Sequence, residues 1–286
     1  EFEITSFSDP SGNALVSSET HTSDDSGYSI VVDTTAPEVS DITFTSSNPS
    51  SDPDYPSSYL SMEDDTVTLS LTTDERVENV EVMINGYSYS ATDDGGGTSW
   101  TVEHTVTSGE DVESLEFEIT SFNDPSGNAL VSSETHTTDD SGYSVVVDTT
   151  APEVSGITFS SSNGSSDPDH PSSHLAMEGD TVTLSITTDE RVEDVEVVIN
   201  DTSYNADDDG DGTSWTVEHT VSSGEDVESV EFEITSFNDP SGNGLASPET
   251  HTLDDNMKSV RVDTTAPKVS TVTFASSNPS SDPDYS

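Results

Sequence analysis

The sequence predicts an all-β protein: tandem two-sheet sandwiches with Greek-key connections, strung end to end. Three observations predict it. The first is repetition without insertion: "VDTTAP" stands at Val32, Val147 and Val262, and "EFEITSF" at Glu1, Glu116 and Glu231, always 115 residues apart. The same interval separates "DTVTLS" at Asp65 and Asp180, and "TSWTVEHTV" at Thr98 and Thr213. The second is alternation with a period of two, rich in β-branched and aromatic residues, which marks half-buried strands. The third is a spacing of turn signals that leaves room for seven or so strands per repeat and no helical period.

Taken in order, one repeat spans residues 33–147 and the next 148–262, with residues 1–32 the C-terminal part of a repeat and 263–286 the N-terminal part of another. Strands are expected at Val39–Thr45, Thr66–Thr73, Val77–Ile84, Tyr87–Ala91, Ser99–Val106, Ser114–Ser121 and Tyr143–Val147, with a short one at Tyr59–Met62. In the second of these, Val67, Leu69 and Leu71 alternate with Thr66, Thr68 and Ser70. In "SWTVEHTV", Trp100, Val102, His104 and Val106 share a face, and the histidine is expected at the sandwich edge. In "ESLEFEITSF" the alternation of Leu115, Phe117 and Ile119 slips near Ser121 to bring in Phe122. "ING" at Ile84–Gly86 is a two-residue hairpin signal. The incomplete ends point to a window cut from a longer array in preference to strand exchange between copies.

Composition narrows the function. The net charge is −54, from 59 carboxylates against five Lys and Arg, so the chain repels phosphate: no nucleic-acid partner and no anionic membrane surface is expected. Leu, Ile, Val and Phe make up roughly a fifth of the residues, close to the composition of disordered chains. The alternation argues against disorder, because it confines acidity to outward positions and loops. With no cysteine there is neither a disulfide nor a zinc-thiolate site. No stretch has the length of a membrane-spanning helix and none reads as a signal peptide, so no membrane insertion is expected in this segment.

"VDTTAPEVS", "GDTVTLSITTDERV", "TSWTVEHTV" and "VEFEITSFNDPSGN", in fixed order, resemble the bacterial and archaeal Ig-like repeat of large cell-surface and biofilm adhesins. The resemblance implies a string of sandwiches used as a stalk or fibre, often rigidified by calcium at domain junctions. The chain departs from the pattern in its acidity and in "DERV", where such repeats often have an uncharged residue and proline.

In an Ig-type sandwich the loops "TDER" and "NDPSGN" return to the end where the chain enters. Around linker Asp33 this gathers Asp74, Glu75, Asp124 and Asn128. The far end presents Glu110 and Asp111 to the next linker, Asp148, which faces Asp189, Glu190, Asp239 and Asn243. Glu225, Asp226 and Asp263 repeat the arrangement once more. Carboxylates and amide carbonyls are hard oxygen ligands suited to calcium. Against this stands the habit of Asp and Asn of capping turns through local backbone bonds. "DDDGDGTSWTVE" matches a calcium-loop spacing through Asp207, Asp209, Asp211 and Glu218, but Glu218 falls inside an expected strand, so an acidic hairpin is the better reading. His170 and His174 replace Tyr55 and Tyr59 and are expected to pack. Asn163 and Asn200 head glycosylation sequons.

No nucleophile elbow or ordered triad is present. The expectation is therefore a non-enzymatic, extracellular structural protein of a cell surface or matrix, from a halophilic or marine prokaryote. Its partners would be neighbouring repeats, other copies associating laterally into fibres, and divalent cations. The alternative is a spacer in an adhesin or secreted carbohydrate-active enzyme whose functional domain lies outside this window.

Overall fold

The computed structural model describes residues 1–275 and Ser277, and every helix or strand assigned among them is a strand. Residues 276 and 278–286, part of the expected opening of a further repeat, lie outside the described residues. The chain divides into two compact units, one spanning Glu1–Thr149 and one from Thr150 onward.

The first unit begins with a lone antiparallel pair, β1 (Phe2–Ile4) and β2 (Glu19–His21). Ten strands follow: β3 (Val39–Ser46), β4 (Ser58–Ser61), β5 (Thr66–Thr73), β6 (Glu78–Ile84), β7 (Tyr87–Ser90), β8 (Thr92–Asp93), β9 (Ser99–Thr105), β10 (Phe117–Asn123), β11 (Glu134–His136) and β12 (Ser144–Val147). They form two four-stranded antiparallel sheets, ordered β3-β5-β9-β8 and β11-β10-β6-β7, and a parallel pair of β4 with β12.

The alternation builds this directly. Val67, Leu69 and Leu71 of β5 face His104, Val102 and Trp100 of β9 in register, all turned inward. From the other sheet Val80, Val82 and Ile84 of β6 and Phe117 and Ile119 of β10 meet them. The Phe44 and Phe117 rings join the sheets edge to face, centroids 4.2 Å apart. A register shift around Ser121 carries Phe122 back inside, as the slip in the alternation requires.

Three expectations need correction. The strand read as Ser114–Ser121 is Phe117–Asn123; Leu115 instead donates its amide to Val145, and Val112 bridges Val147, so residues 112–115 run along β12. Strands β8 and β11 were not expected: two and three residues are too short to display a period. His104 is not at an edge; it is 2% exposed.

The second unit repeats all ten strands 115 positions later, from Val154–Ser161 to Ser259–Val262, with the same sheet orders. Phe159 and Phe232 join the sheets at the same 4.2 Å centroid distance, but with the rings stacked. The protein is a tandem Ig-like β-sandwich. β1, in contrast, lies open: Phe2 is 56% exposed, whereas Phe117, in the same "FEI", is fully buried.

Candidate metal centre

Asp33 stands in the segment entering the first sandwich, Glu75 in the turn between β5 and β6, and Asp124 in the loop after β10. One carboxylate oxygen from each lies within 4.8 Å of the other two. Local bonding explains how each is held. Asp33 accepts the Thr35 amide (3.0 Å), which fixes the "DTT" turn. Asp124, almost fully buried, accepts the Asn128 amide on one oxygen and the Asn128 side-chain amide on the other, both at 2.8 Å. Asn128 also donates to the Asp33 carbonyl at 3.2 Å, tying the loop to the linker. Glu75 is placed by the turn itself, where Thr73 Oγ1 donates to its carbonyl at 2.6 Å.

Electrostatics set the members apart. Burial and then the charges of Asp33, Asp124 and Asp74 raise Glu75 above the ordinary 4.5. Burial pushes Asp124 the same way, but its hydrogen bonds from Asn128, Gly127 and Ser126 outweigh it and hold the carboxyl below 3.8. The donor set fits a hard divalent ion. Calcium takes oxygen ligands at about 2.3–2.6 Å, so oxygens sharing its shell lie at most about 5 Å apart. Three carboxylates within 4.8 Å meet that limit, and among the described residues no nitrogen or sulfur ligand that would favour zinc joins them.

Six of the other expected ligands turn to protein partners instead. Asp74 turns to the Glu38 amide (2.8 Å) and pins the start of β3, as Asp189 does with Glu153 in the second unit. Glu110 turns inward to His104, and Asp111 binds Thr149. Glu225 and Asp226 do the same with His219 and Thr264. Within the second unit Glu190 and Asp239 stand where Glu75 and Asp124 stand in the first, and Asp239 holds Asn243 by the same paired bonds of 2.8 Å. Asp148 donates its amide to the Ser61 carbonyl, and Asp263 to that of Ala176. Asp263 also accepts the Thr265 amide, as Asp33 accepts that of Thr35.

The turn-capping reading is also realised. In the open N-terminal segment Asp9 holds Asn13 by the same bonds, at 2.9 and 2.7 Å. The "NDPSGN" loop therefore shapes itself: Oδ1 takes two backbone amides in Asp9 and in Asp239, while Oδ2 accepts the asparagine side-chain amide.

"DDDGDG" is an acidic hairpin, with Asp208 accepting the Gly210 and Gly212 amides and Glu218 exposed in a strand. The amide nitrogen of Asn163 is bonded to Asp180 at 2.7 Å, and that of Asn200 is buried without a hydrogen-bond partner among the described residues. The Asn200 nitrogen is thus withdrawn from solvent, and that of Asn163 is engaged by a carboxylate. The residues that sequence reasoning missed are Tyr89 with His104, and Thr149. The signal was available: a histidine on a core face needs a polar partner, and Glu110 follows six residues later.

No protein-family model matches the chain, and no curated protein does. Among solved structures, a three-Ig segment of titin domains I67–I69 (an E-to-A variant) is similar with a TM-score of 0.42 and 9% identity, over 79% of this chain and 65% of that one. The titin I9–I11 tandem gives 0.29 and 11%, over 80% and 66%. Rst D1-D2 gives 0.32 and 9%, over 79% and 100%. The match spans less than two thirds of the I67–I69 segment. These similarities are low, and the Ig-like fold rests on the strand order and pairing described above.

Proposed function

We propose that the chain is a non-enzymatic structural array of the bacterial and archaeal adhesin kind, an extracellular stalk or filament in which calcium stiffens the entry to a sandwich. The observation that supports it is the meeting of linker Asp33 with loop residues Glu75 and Asp124. A carboxylate whose neighbours already resist its ionisation gains most from a cation. Asp33, Glu75 and Asp124 would hold the ion, which supplies positive charge binding a linker residue to two loops of the fold. Near-identical units repeated in tandem favour length over catalysis. A net charge of −54 with two lysines suits a salt-rich habitat, where screening makes such a surface tolerable.

Calorimetry with calcium, together with solution scattering in calcium and then in chelator, tests the reading. Calcium binding and a shorter maximum dimension in chelator are expected. No bound calcium and an unchanged scattering profile would remove the metal centre and leave a plain spacer.

A further inference from the structure

Behind the entry site lies a second polar device, at the opposite loop of each sandwich. Tyr89 Oη lies 2.7 Å from His104 Nδ1, and His104 Nε2 lies 2.9 Å from Glu110 Oε2. The histidine and glutamate side chains are 2% and 8% exposed. Glu110 also accepts the Thr107 amide and hydroxyl, at 3.2 and 2.9 Å. The next residue, Asp111, accepts the Thr149 amide (2.6 Å) and hydroxyl (2.7 Å), while Gly109 donates its amide to that hydroxyl oxygen (2.9 Å). The Thr149 hydroxyl is thus donor and acceptor at once, a pairing no apolar side chain could make. The second unit repeats the run of contacts from tyrosine to threonine, with Glu225 more open, at 28% exposure, than Glu110. Tyr204 lies 2.8 Å from His219 and His219 3.0 Å from Glu225, while Asp226 and Gly224 hold Thr264.

Loop 107–111 has no apolar anchor. Thr107, Ser108, Gly109 and Asp111 are exposed, and Glu110 is the residue that turns inward. A buried carboxylate persists where hydrogen bonds satisfy it, and His104 is the side chain that does so from the core. One ring tautomer satisfies both contacts, accepting from Tyr89 and donating to Glu110. Without that partner Glu110 would turn to water, and Gly109 and Asp111, on either side of it, would turn too.

We propose that the Tyr89–His104–Glu110 chain is a latch: it holds loop 107–111 in the shape that grips Thr149, so each sandwich fixes from its own core the segment that leaves it. Tyr204–His219–Glu225 latches Thr264 in the same way. None of the three carboxylates of the candidate metal centre takes part, so the latch stands or falls without calcium.

His104→Gln in the full chain, with chelator present, provides the test through amide hydrogen exchange. Exchange at Thr149 and Gly109 is expected to accelerate about tenfold or more, the scale of one charge-assisted hydrogen bond. Thr264 and Gly224, whose latch is intact, are the internal control, and the Val102 amide in the core should stay protected. Unchanged protection at Thr149 in a folded variant would overturn the latch. Should His104→Gln unfold the sandwich, Tyr89→Phe and Glu110→Gln are read in its place. Selective loss at Thr149 and Gly109 supports the proposal. Joint loss at Thr149 and Val102 would make the network simple core packing and overturn it.

Discussion

Glu75 and Asp124 are near neighbours in one sandwich, yet their surroundings move them in opposite directions. Asp124 is held below 3.8, so the stability it contributes is present above that value and is lost as pH falls through its folded pKa. Glu75 is raised above 4.5, so in the absence of a cation it opposes folding once ionised, and stability returns as pH falls through its folded pKa towards 4.5. Glu75→Gln separates the two. In chelator the variant should melt at a higher temperature than the parent at neutral pH, and the difference should vanish as pH drops below 4.5. In calorimetry it should bind calcium more weakly. Higher stability with unchanged calcium binding would mean that the carboxylates meet without serving an ion. Sequence alone could bring Asp33, Glu75 and Asp124 together, because Ig topology returns those two loops to the entry point. It could not tell that Glu110 faces inward while its neighbour Asp111 faces out, since loop residues carry no period from which a direction can be read.

At the scale of strands, burial depends on which partner strands are present. "FEI" is open at Phe2 and closed at Phe117, where Phe44 packs on it. Phe117→Ala should therefore cost about 3–5 kcal/mol in denaturant unfolding of the first sandwich. Phe2→Ala should stay within about 0.5 kcal/mol, as surface substitutions do. Equal costs would show that β1 is buried in solution. The contrast also explains what was legible. β5, β6 and β9 declare themselves because each spends seven or eight residues with alternate side chains in the core. β11 spends three, with none fully buried, and its "ETH" is indistinguishable from a loop. The parallel contact of β4 with β12 was invisible for another reason. Ser58, Tyr59 and Leu60 show where a strand lies, but their pattern does not say which strand it joins. His104 was misplaced because composition ranks histidine as an edge residue, whereas Tyr89 and Glu110, brought close only by folding, make its burial tolerable.

Over the whole molecule the dominant fact is charge. Fifty-nine carboxylates face five Lys and Arg, and one of the two arginines in "DERV", Arg76, meets Glu78 only at 3.6 Å with both side chains largely exposed. Such a pair is worth little, so local compensation is slight. Self-repulsion therefore opposes compaction throughout, and each sandwich has a single small core to set against it. Screening decides the balance. The Debye length is about 30 Å at 0.01 M salt and about 3 Å at 1 M. At the lower value carboxylates repel across an entire sandwich, and at the higher value only between neighbours. The thermal midpoint of the full chain in sodium chloride, with chelator throughout so that calcium plays no part, should rise steeply between tens of millimolar and molar salt. The rise should exceed that of a variant in which outward carboxylates such as Glu103 and Glu218, both exposed in strands, are replaced by Gln. Hydrophobic burial also strengthens in strongly salting-out anions, so sodium sulfate and sodium chloride are compared at equal ionic strength. If screening governs, the two curves coincide below about 0.1 M and the variant's slope is shallower. A midpoint indifferent to salt would mean that hydrogen bonds of the kind Asp124 accepts already offset the acidity, and the surface would then need no saline surroundings.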